Sequence, residues 1–148
     1  MKSIKKISLI VAFILLTAMG AYSPADSDKN PPAIEKAADF SLKDLRGGTV
    51  SLASLRGKVV LLSFWATWCP PCVSEMPSLN KLYQELRPRG FEVVAVSLDR
   101  SADDVREYVG KKGFKFLILM DEGNKVSRSY KVFSTPTTFL IDRKGNII

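Results

Sequence analysis

Histidine is missing from all 148 residues. Its absence removes the commonest general base and the commonest metal ligand together. Acid–base chemistry near neutral pH then falls to a shifted carboxyl, a thiol or a lysine. Cysteine is nearly as scarce, with two residues, Cys69 and Cys72. Two thiolates without histidine or a second cysteine pair leave tetrahedral zinc half coordinated, so neither a metal site nor a metal cofactor is expected. Repeats and low-complexity tracts are absent. The formal charge is +7, yet no stripe of Arg and Lys interleaved with aromatics is present, which argues against nucleic-acid binding.

What is present reads as one globular unit. An apolar fraction of 46% with 25% charged residues over this length suits a single domain with a real core. Ahead of it, Lys2, Lys5 and Lys6 precede an apolar run from Ile7 to about Ala21. A cationic start followed by a short apolar stretch is the pattern of a secretory signal. The pairs Ala18 and Gly20, or Ala21 and Ser23, offer small residues for cleavage, but neither is a clean A-x-A site. Residues 1–23 are therefore read as a signal peptide or a retained N-terminal membrane anchor, and cationic flanks would keep that end in the cytoplasm. The rest of the chain is expected on the outer, oxidising side. Residues 24–37 are polar, proline-containing and without hydrophobic period, which suits a linker. The folded domain is expected over 38–148.

Within the domain, alternating stretches around Gly47 and Gly48 predict a hairpin. "VVLLSFWA", Val59 to Ala66, is a continuous apolar run of strand length and predicts a central strand buried on both faces. A helix is expected from about Pro70 to Arg87, kinked at Pro77 and ended by Pro88 and Gly90. "FEVVAVSL" predicts a second buried strand, and "SADDVREYVGKKG" a helix opened by a Ser cap and an acidic first turn. "FKFLILMD" predicts another strand and "GNKVSRSYKV" a short helix. "TTFLIDRKGNII" predicts a strand that turns at Asp142 to Gly145 into a further one. Alternating helices and buried strands predict an α/β sheet covered by helices.

The chemistry concentrates at "WCPPC". Cys69 falls between a buried strand and a helix whose first positions are Pro70 and Pro71, residues suited to a turn whose amides would be unpaired anyway. A thiolate at or beside that N-cap is stabilised by free amides and the helix dipole, so its pKa should fall below the free value of about 8.5. Cys72, one turn on, is expected behind it. Cys69 is thus a candidate nucleophile for a substrate disulfide, with Cys72 as the partner that resolves the mixed disulfide. The two prolines withhold their amides from the thiolate and so weaken its stabilisation. A purely structural bridge is the alternative, but closing so short a loop contributes only about 2 kcal/mol, against about 3 for a 15-residue loop.

Glu75 lies on a helical stripe with Cys72, Leu79, Leu82 and Leu86. A carboxyl facing the core is desolvated and its pKa raised, which suits proton exchange with Cys72; a rim carboxylate bent out to water is the alternative. In "STPTTFLID", Thr135 and Pro136 precede a strand, where proline ordinarily marks a turn or an edge. Trp65 is expected in the core and Trp68, beside the nucleophile, over the site.

"FWATWCPPCVSEMPSL" together with "STPTTFLID" resembles the thioredoxin superfamily, and closely its TlpA/ResA-type branch of exported thiol:disulfide oxidoreductases, which overlaps in pattern with the AhpC/TSA redoxins. The resemblance runs from about Ala38 to the last residue. It implies a thioredoxin-like fold, a central mixed sheet flanked by helices. "DFSLKDLRGGTVSLASLRGKVVLLSFWA" looks like the branch's added N-terminal hairpin, and an extra helix and strand lie between Asp99 and Asp121. By resemblance Cys69 is the exposed nucleophile, Cys72 the buried partner and Glu75 the family's buried acid. Pro136 is the cis-proline facing the disulfide, and Thr135 lends its backbone to bound peptide. Trp68, Pro70, Pro71, Thr135 and Pro136 are assigned to substrate contact. Two departures stand out. Ser63 occupies the strand position where thioredoxin proper has a buried aspartate, leaving proton transfer to Glu75. The chain also stops at Ile148, where the family completes a strand and adds a helix, so a truncated C-terminal end with an uncovered sheet face is expected.

The implied partners are protein disulfide or dithiol substrates, with the haem-binding cysteines of apocytochrome c as a candidate, and a membrane or extracytoplasmic thiol electron donor. Two other functions compete. A peroxide-reducing redoxin normally places its cysteine in a Pro-x-x-x-Thr/Ser-x-x-Cys context, which "SFWATWC" does not provide. A non-enzymatic binding module would use the groove around Trp68 and Pro136. The C-x-x-C pattern also serves oxidants, so the direction of electron flow stays open.

Overall fold

The computed structural model describes residues 35–148. The signal or anchor over 1–23 and the linker up to residue 34 lie outside the described residues.

The predicted hairpin is formed by β1 (Ser41–Asp44) and β2 (Thr49–Ser51), paired antiparallel. Its turn is closed by the Asp44 carboxylate, which accepts from the amides of Arg46 at 2.8 Å and Gly48 at 2.7 Å. Gly47 supplies the left-handed φ of 87° that the turn requires. The apolar runs become β3 (Val59–Trp65), β4 (Phe91–Ser97) and β5 (Leu117–Met120), all parallel to one another, and β6 (Thr137–Ile141) lies antiparallel to β3. The sheet order is β2-β1-β5-β4-β3-β6. Every residue of β4 is buried, as expected of an inner strand covered on both faces.

Each face of the sheet has its own core. Trp65, Val93, Ala95 and Ile118 pack with Cys72, Met76 and Tyr83 of helix α1 (Pro70–Leu86) and with Val105 of α2 (Ala102–Lys112). On the other face Val60, Leu62, Phe64, Val94, Val96 and Leu119 meet Phe40, Leu52, Leu55, Tyr130 and Val126, the last from the short helix α3 (Lys125–Ser129). The Tyr130 hydroxyl donates to the Ala38 carbonyl at 2.6 Å, and burial pushes its pKa up to about 12. α2 begins with the expected cap, Ser101 Oγ accepting from the Asp104 amide at 3.2 Å, and ends at Gly113. The mixed sheet between helices, with the hairpin added at one edge and α2–β5 in the middle of the chain, is the expected thioredoxin-like architecture.

Some elements differ from the sequence reading. Phe114–Phe116 precede β5 rather than belonging to it, because the Lys115 amide bonds to the Asn80 side chain at 2.9 Å instead of to a neighbouring strand. The helix expected over residues 123–132 shrinks to α3, interrupted by Gly123 and Asn124 at φ of 74° and 55°. Beyond the Asp142–Gly145 turn the chain makes two isolated bridges, Ile141 to Ile147 and Lys36 to Asn146, not a strand. There the Asp142 carboxylate collects the amides of Asn146 and Lys144 at 2.8 Å each, which holds its pKa below the usual carboxylate value. α1 runs on through Pro77 as one helix. At the end of the stretch read as a linker, the Ala37 amide donates to the Gly145 carbonyl at 3.0 Å. Among the described residues no helix is long and apolar enough to cross a membrane.

Candidate active site

The two cysteines lie where β3 hands over to α1. Cys69 is itself the N-cap residue, with extended backbone (φ −103°, ψ 100°), and Pro70 and Pro71 open the helix. Because those prolines lack amides, the first amide free to reach the cap is that of Cys72, which donates to Cys69 Sγ at 3.4 Å. One donor and the helix N-terminus therefore face the sulfur. Cys69 and Cys72 are joined in a disulfide with Cα atoms 5.3 Å apart.

The second wall arrives from far along the chain. Antiparallel pairing of β6 with β3, with Thr137 opposite Phe64, carries the preceding loop to the disulfide. The Thr135–Pro136 peptide is cis, and the Thr135 carbonyl oxygen lies 3.6 Å from Cys69 Sγ. In the disulfide that sulfur carries no proton, so this is a contact rather than a hydrogen bond. In the dithiol form the carbonyl dipole favours the thiol and opposes the helix N-terminus, which favours the thiolate.

Exposure corrects one expectation. The nucleophile implied by resemblance is exposed, but Cys69 is only 5% exposed, and Cys72 is fully buried. The Thr135 carbonyl and the partner sulfur occupy its surroundings, leaving a narrow approach. Around it Trp68, Pro70 and Pro71 are exposed, and Thr135 and Pro136 are partly buried. Trp65 is wholly buried, with Nε1 unpartnered.

The helical stripe is also centred differently. Cys72, Met76 and Tyr83 are its buried centre, while Leu79, Leu82 and Leu86 pack at its side. Glu75 sits at the margin and is half-buried, yet its Oε1 is buried without a hydrogen-bond partner. Burial raises its pKa from the ordinary 4.5, opposed in part by the Ser63 hydroxyl. Ser63 is fully buried on β3 and accepts from Thr138 Oγ1 at 3.2 Å. No Lys or Arg among the described residues pairs with Glu75.

Sequence reasoning passed over Asp99. Its carboxylate is buried and accepts from the Thr67 amide at 3.0 Å, Thr67 Oγ1 at 2.6 Å and Ser97 Oγ at 2.7 Å. The loop that ends at Cys69 is thereby anchored to the end of β4. A signal existed, since Ser97 and Asp99 follow an apolar strand at the carboxyl edge of a parallel sheet, where functional groups of such folds gather. No cluster of side chains suited to a metal occurs among the described residues.

Residues 34–148 match the AhpC/TSA family. The chain is 38% identical over 143 residues to the thiol-disulfide oxidoreductase ResA of Bacillus anthracis, covering 95% of this chain and 83% of that protein. Among solved structures, a Chlorobium tepidum protein assigned as the thiol:disulfide interchange protein DsbE superposes with a TM-score of 0.74 at 38% identity, covering 77% of this chain and 80% of that one. A thiol:disulfide interchange protein from Bacteroides sp. gives 0.72 at 30% identity, covering 77% of each chain. With a paired Cys69 and Cys72 at the head of α1, the chain belongs to the AhpC/TSA family and is a thioredoxin-like thiol:disulfide oxidoreductase.

Proposed function

We propose that the protein works outside the cytoplasm as a reductant of protein disulfides, with Cys69 as nucleophile, Cys72 as resolving thiol and Glu75 as proton carrier. Residues 1–23 export or tether it, 24–37 act as a linker, and the remainder forms the catalytic domain. The observation that carries the reading is the cysteine pair at the N-terminus of α1, facing Thr135–Pro136, with a carboxyl one turn behind whose Oε1 is buried without a hydrogen-bond partner.

The proposed cycle balances as follows. The Cys69 thiolate attacks a substrate disulfide, forming a mixed disulfide and releasing one substrate thiolate. Ionised Glu75 accepts the proton of Cys72; the new thiolate attacks Cys69 Sγ, and the second substrate sulfur leaves. The substrate has gained two electrons, and the enzyme rests as the Cys69–Cys72 disulfide with Glu75 protonated. A membrane or extracytoplasmic dithiol then returns two electrons and becomes a disulfide itself. Trp68, Pro70, Pro71, Thr135 and Pro136 line the approach, and the haem-binding cysteines of apocytochrome c are the substrate candidate.

The reduction potential of the pair tests the direction, followed by the fluorescence of Trp65 and Trp68. A value near that of thioredoxin, about −270 mV, is expected of a dedicated reductant; one near about −120 mV makes the protein a disulfide donor. Cys69→Ser should reduce turnover to the uncatalysed background, whereas Cys72→Ser should accumulate a mixed disulfide visible by mass. Labelling of intact cells with a membrane-impermeant thiol reagent checks the location.

A further inference from the structure

Among the described residues four large apolar side chains stand out into solvent: Trp68 at 66% exposure, Phe133 at 93%, Leu140 at 38% and Ile148 at 69%. Two of the four flank one disulfide. Trp68 directly precedes Cys69, and Phe133 lies two residues before Thr135, whose carbonyl touches Cys69 Sγ at 3.6 Å. Two residues of chain reach at most about 7 Å, so both side chains arise close to the reactive sulfur, from loops 65 residues apart in sequence. Exposed apolar residues scattered singly need no explanation. A pair rooted beside one reactive bond is a different case, because keeping both uncovered costs solvation that an arriving chain recovers.

The backbone between them is equally open. The amides of Phe133, Ser134 and Thr135 make no hydrogen bond within the described protein, while the Ser134 carbonyl is taken by Thr137 Oγ1 at 2.6 Å. Open amides beside an aromatic side chain suit an extended polypeptide, which offers carbonyls at the strand repeat and side chains to alternate sides. A small disulfide such as that of glutathione offers neither in quantity.

We propose that Phe133 is a specificity-determining residue. With Trp68 it forms an apolar seat for the residue beside the attacked cysteine, so the preferred substrate is an extended, unfolded polypeptide whose disulfide cysteine has an apolar neighbour. A charged neighbour would have to shed water against two aromatic faces. This inference rests on the disulfide-exchange reading above.

The test uses the full chain and unstructured peptides that each carry one mixed disulfide and differ only at the residue next to the cysteine: Leu, Glu or Lys. Wild type should favour Leu over both charged peptides by about tenfold in kcat/KM, the scale of a modest apolar contact. Phe133→Ser should shrink that preference to about twofold, chiefly through a raised KM for the Leu peptide. The ratio is internal to each enzyme, so a partly folded variant does not distort it. A preference that Phe133→Ser leaves intact overturns the role of Phe133, and equal turnover of all three peptides by wild type overturns the seat. Failure of wild type to exchange with any peptide or with glutathione disulfide overturns the disulfide-exchange reading beneath it.

Discussion

Glu75 on α1 and Glu92 on β4 each keep one carboxylate oxygen, Oε1, buried without a hydrogen-bond partner. Their surroundings part company at the other oxygen. Glu92, at the start of β4, holds Lys58 Nζ at 2.9 Å, with side chains 7% and 45% exposed respectively. Glu75 has no cation among the described residues, and burial raises its pKa. A buried carboxylate with a counter-ion is electrostatically settled, since removing the charge strands the lysine as well. One without a counter-ion holds its proton more tightly than a free carboxyl does. Burial is common to both carboxyls; of the two, Glu75 lacks a paired cation among the described residues and lies one turn from a cysteine.

The comparison breaks most visibly in the kinetics of disulfide exchange. Glu75→Gln should slow resolution of the mixed disulfide by about a hundredfold, the usual scale of a general base, and remove one ionisation from its pH–rate profile. Glu92→Gln should leave that profile unchanged. If both variants keep the wild-type profile, Glu75 moves no proton and the contrast is only structural.

A third buried carboxylate sharpens the contrast. Asp99 is held by hydrogen bonds rather than by a cation, and Asp99→Ala leaves the Thr67 amide and two hydroxyls without their acceptor. A loss of about 2–3 kcal/mol in chemical denaturation is expected, with a shift in the Cys69–Cys72 reduction potential because the loop entering Cys69 is loosened. Unchanged potential with lowered stability would make the anchor a matter of folding alone.

Lys58→Met tests the settled carboxylate. Full burial of a broken pair costs about 3–5 kcal/mol, but Lys58 is nearly half exposed, so solvent reduces the expected loss to about 1–2 kcal/mol. The exchange profile should not move. The smallest effect is on stability at Glu75 itself. Its folded pKa is raised, so the folded state holds the proton more tightly than the unfolded chain. The stability this contributes is complete below about pH 4.5 and is lost as pH rises through the folded value. Glu75→Gln should therefore melt slightly higher than wild type at pH 7, and the gap should close in acid. A variant that melts lower at neutral pH would show that the carboxylate is stabilised by something other than a proton.

Much of the fold was legible along the chain. The apolar runs of β3 and β4 and the Ser101 cap of α2 each announce themselves within a few residues, because strand burial and helix capping are set by near neighbours. The "WCPPC" stretch placed Cys69 at the helix cap for the same reason. Less legible were α3, where Gly123 and Asn124 interrupt a helix-like pattern, and Phe114–Phe116, whose backbone is claimed by Asn80 from α1. Asp99 went unread because its partner Thr67 is 32 residues away in sequence.

By itself the sequence determined the chemistry's raw material: one cysteine pair, two prolines that open a helix between them, a carboxyl one turn on and no histidine to compete. These follow from covalent order and from contacts within about one helical turn. The tertiary structure decided what surrounds that pair. The order of six strands brings Thr135 and Phe133 to Cys69 across 66 and 64 residues of chain, lashes the Cys69 loop to β4 through Asp99, and, among the described residues, pairs Lys58 with Glu92 but no cation with Glu75. Strand order and register are set by burying the whole sheet at once, so no local stretch of the chain carries them.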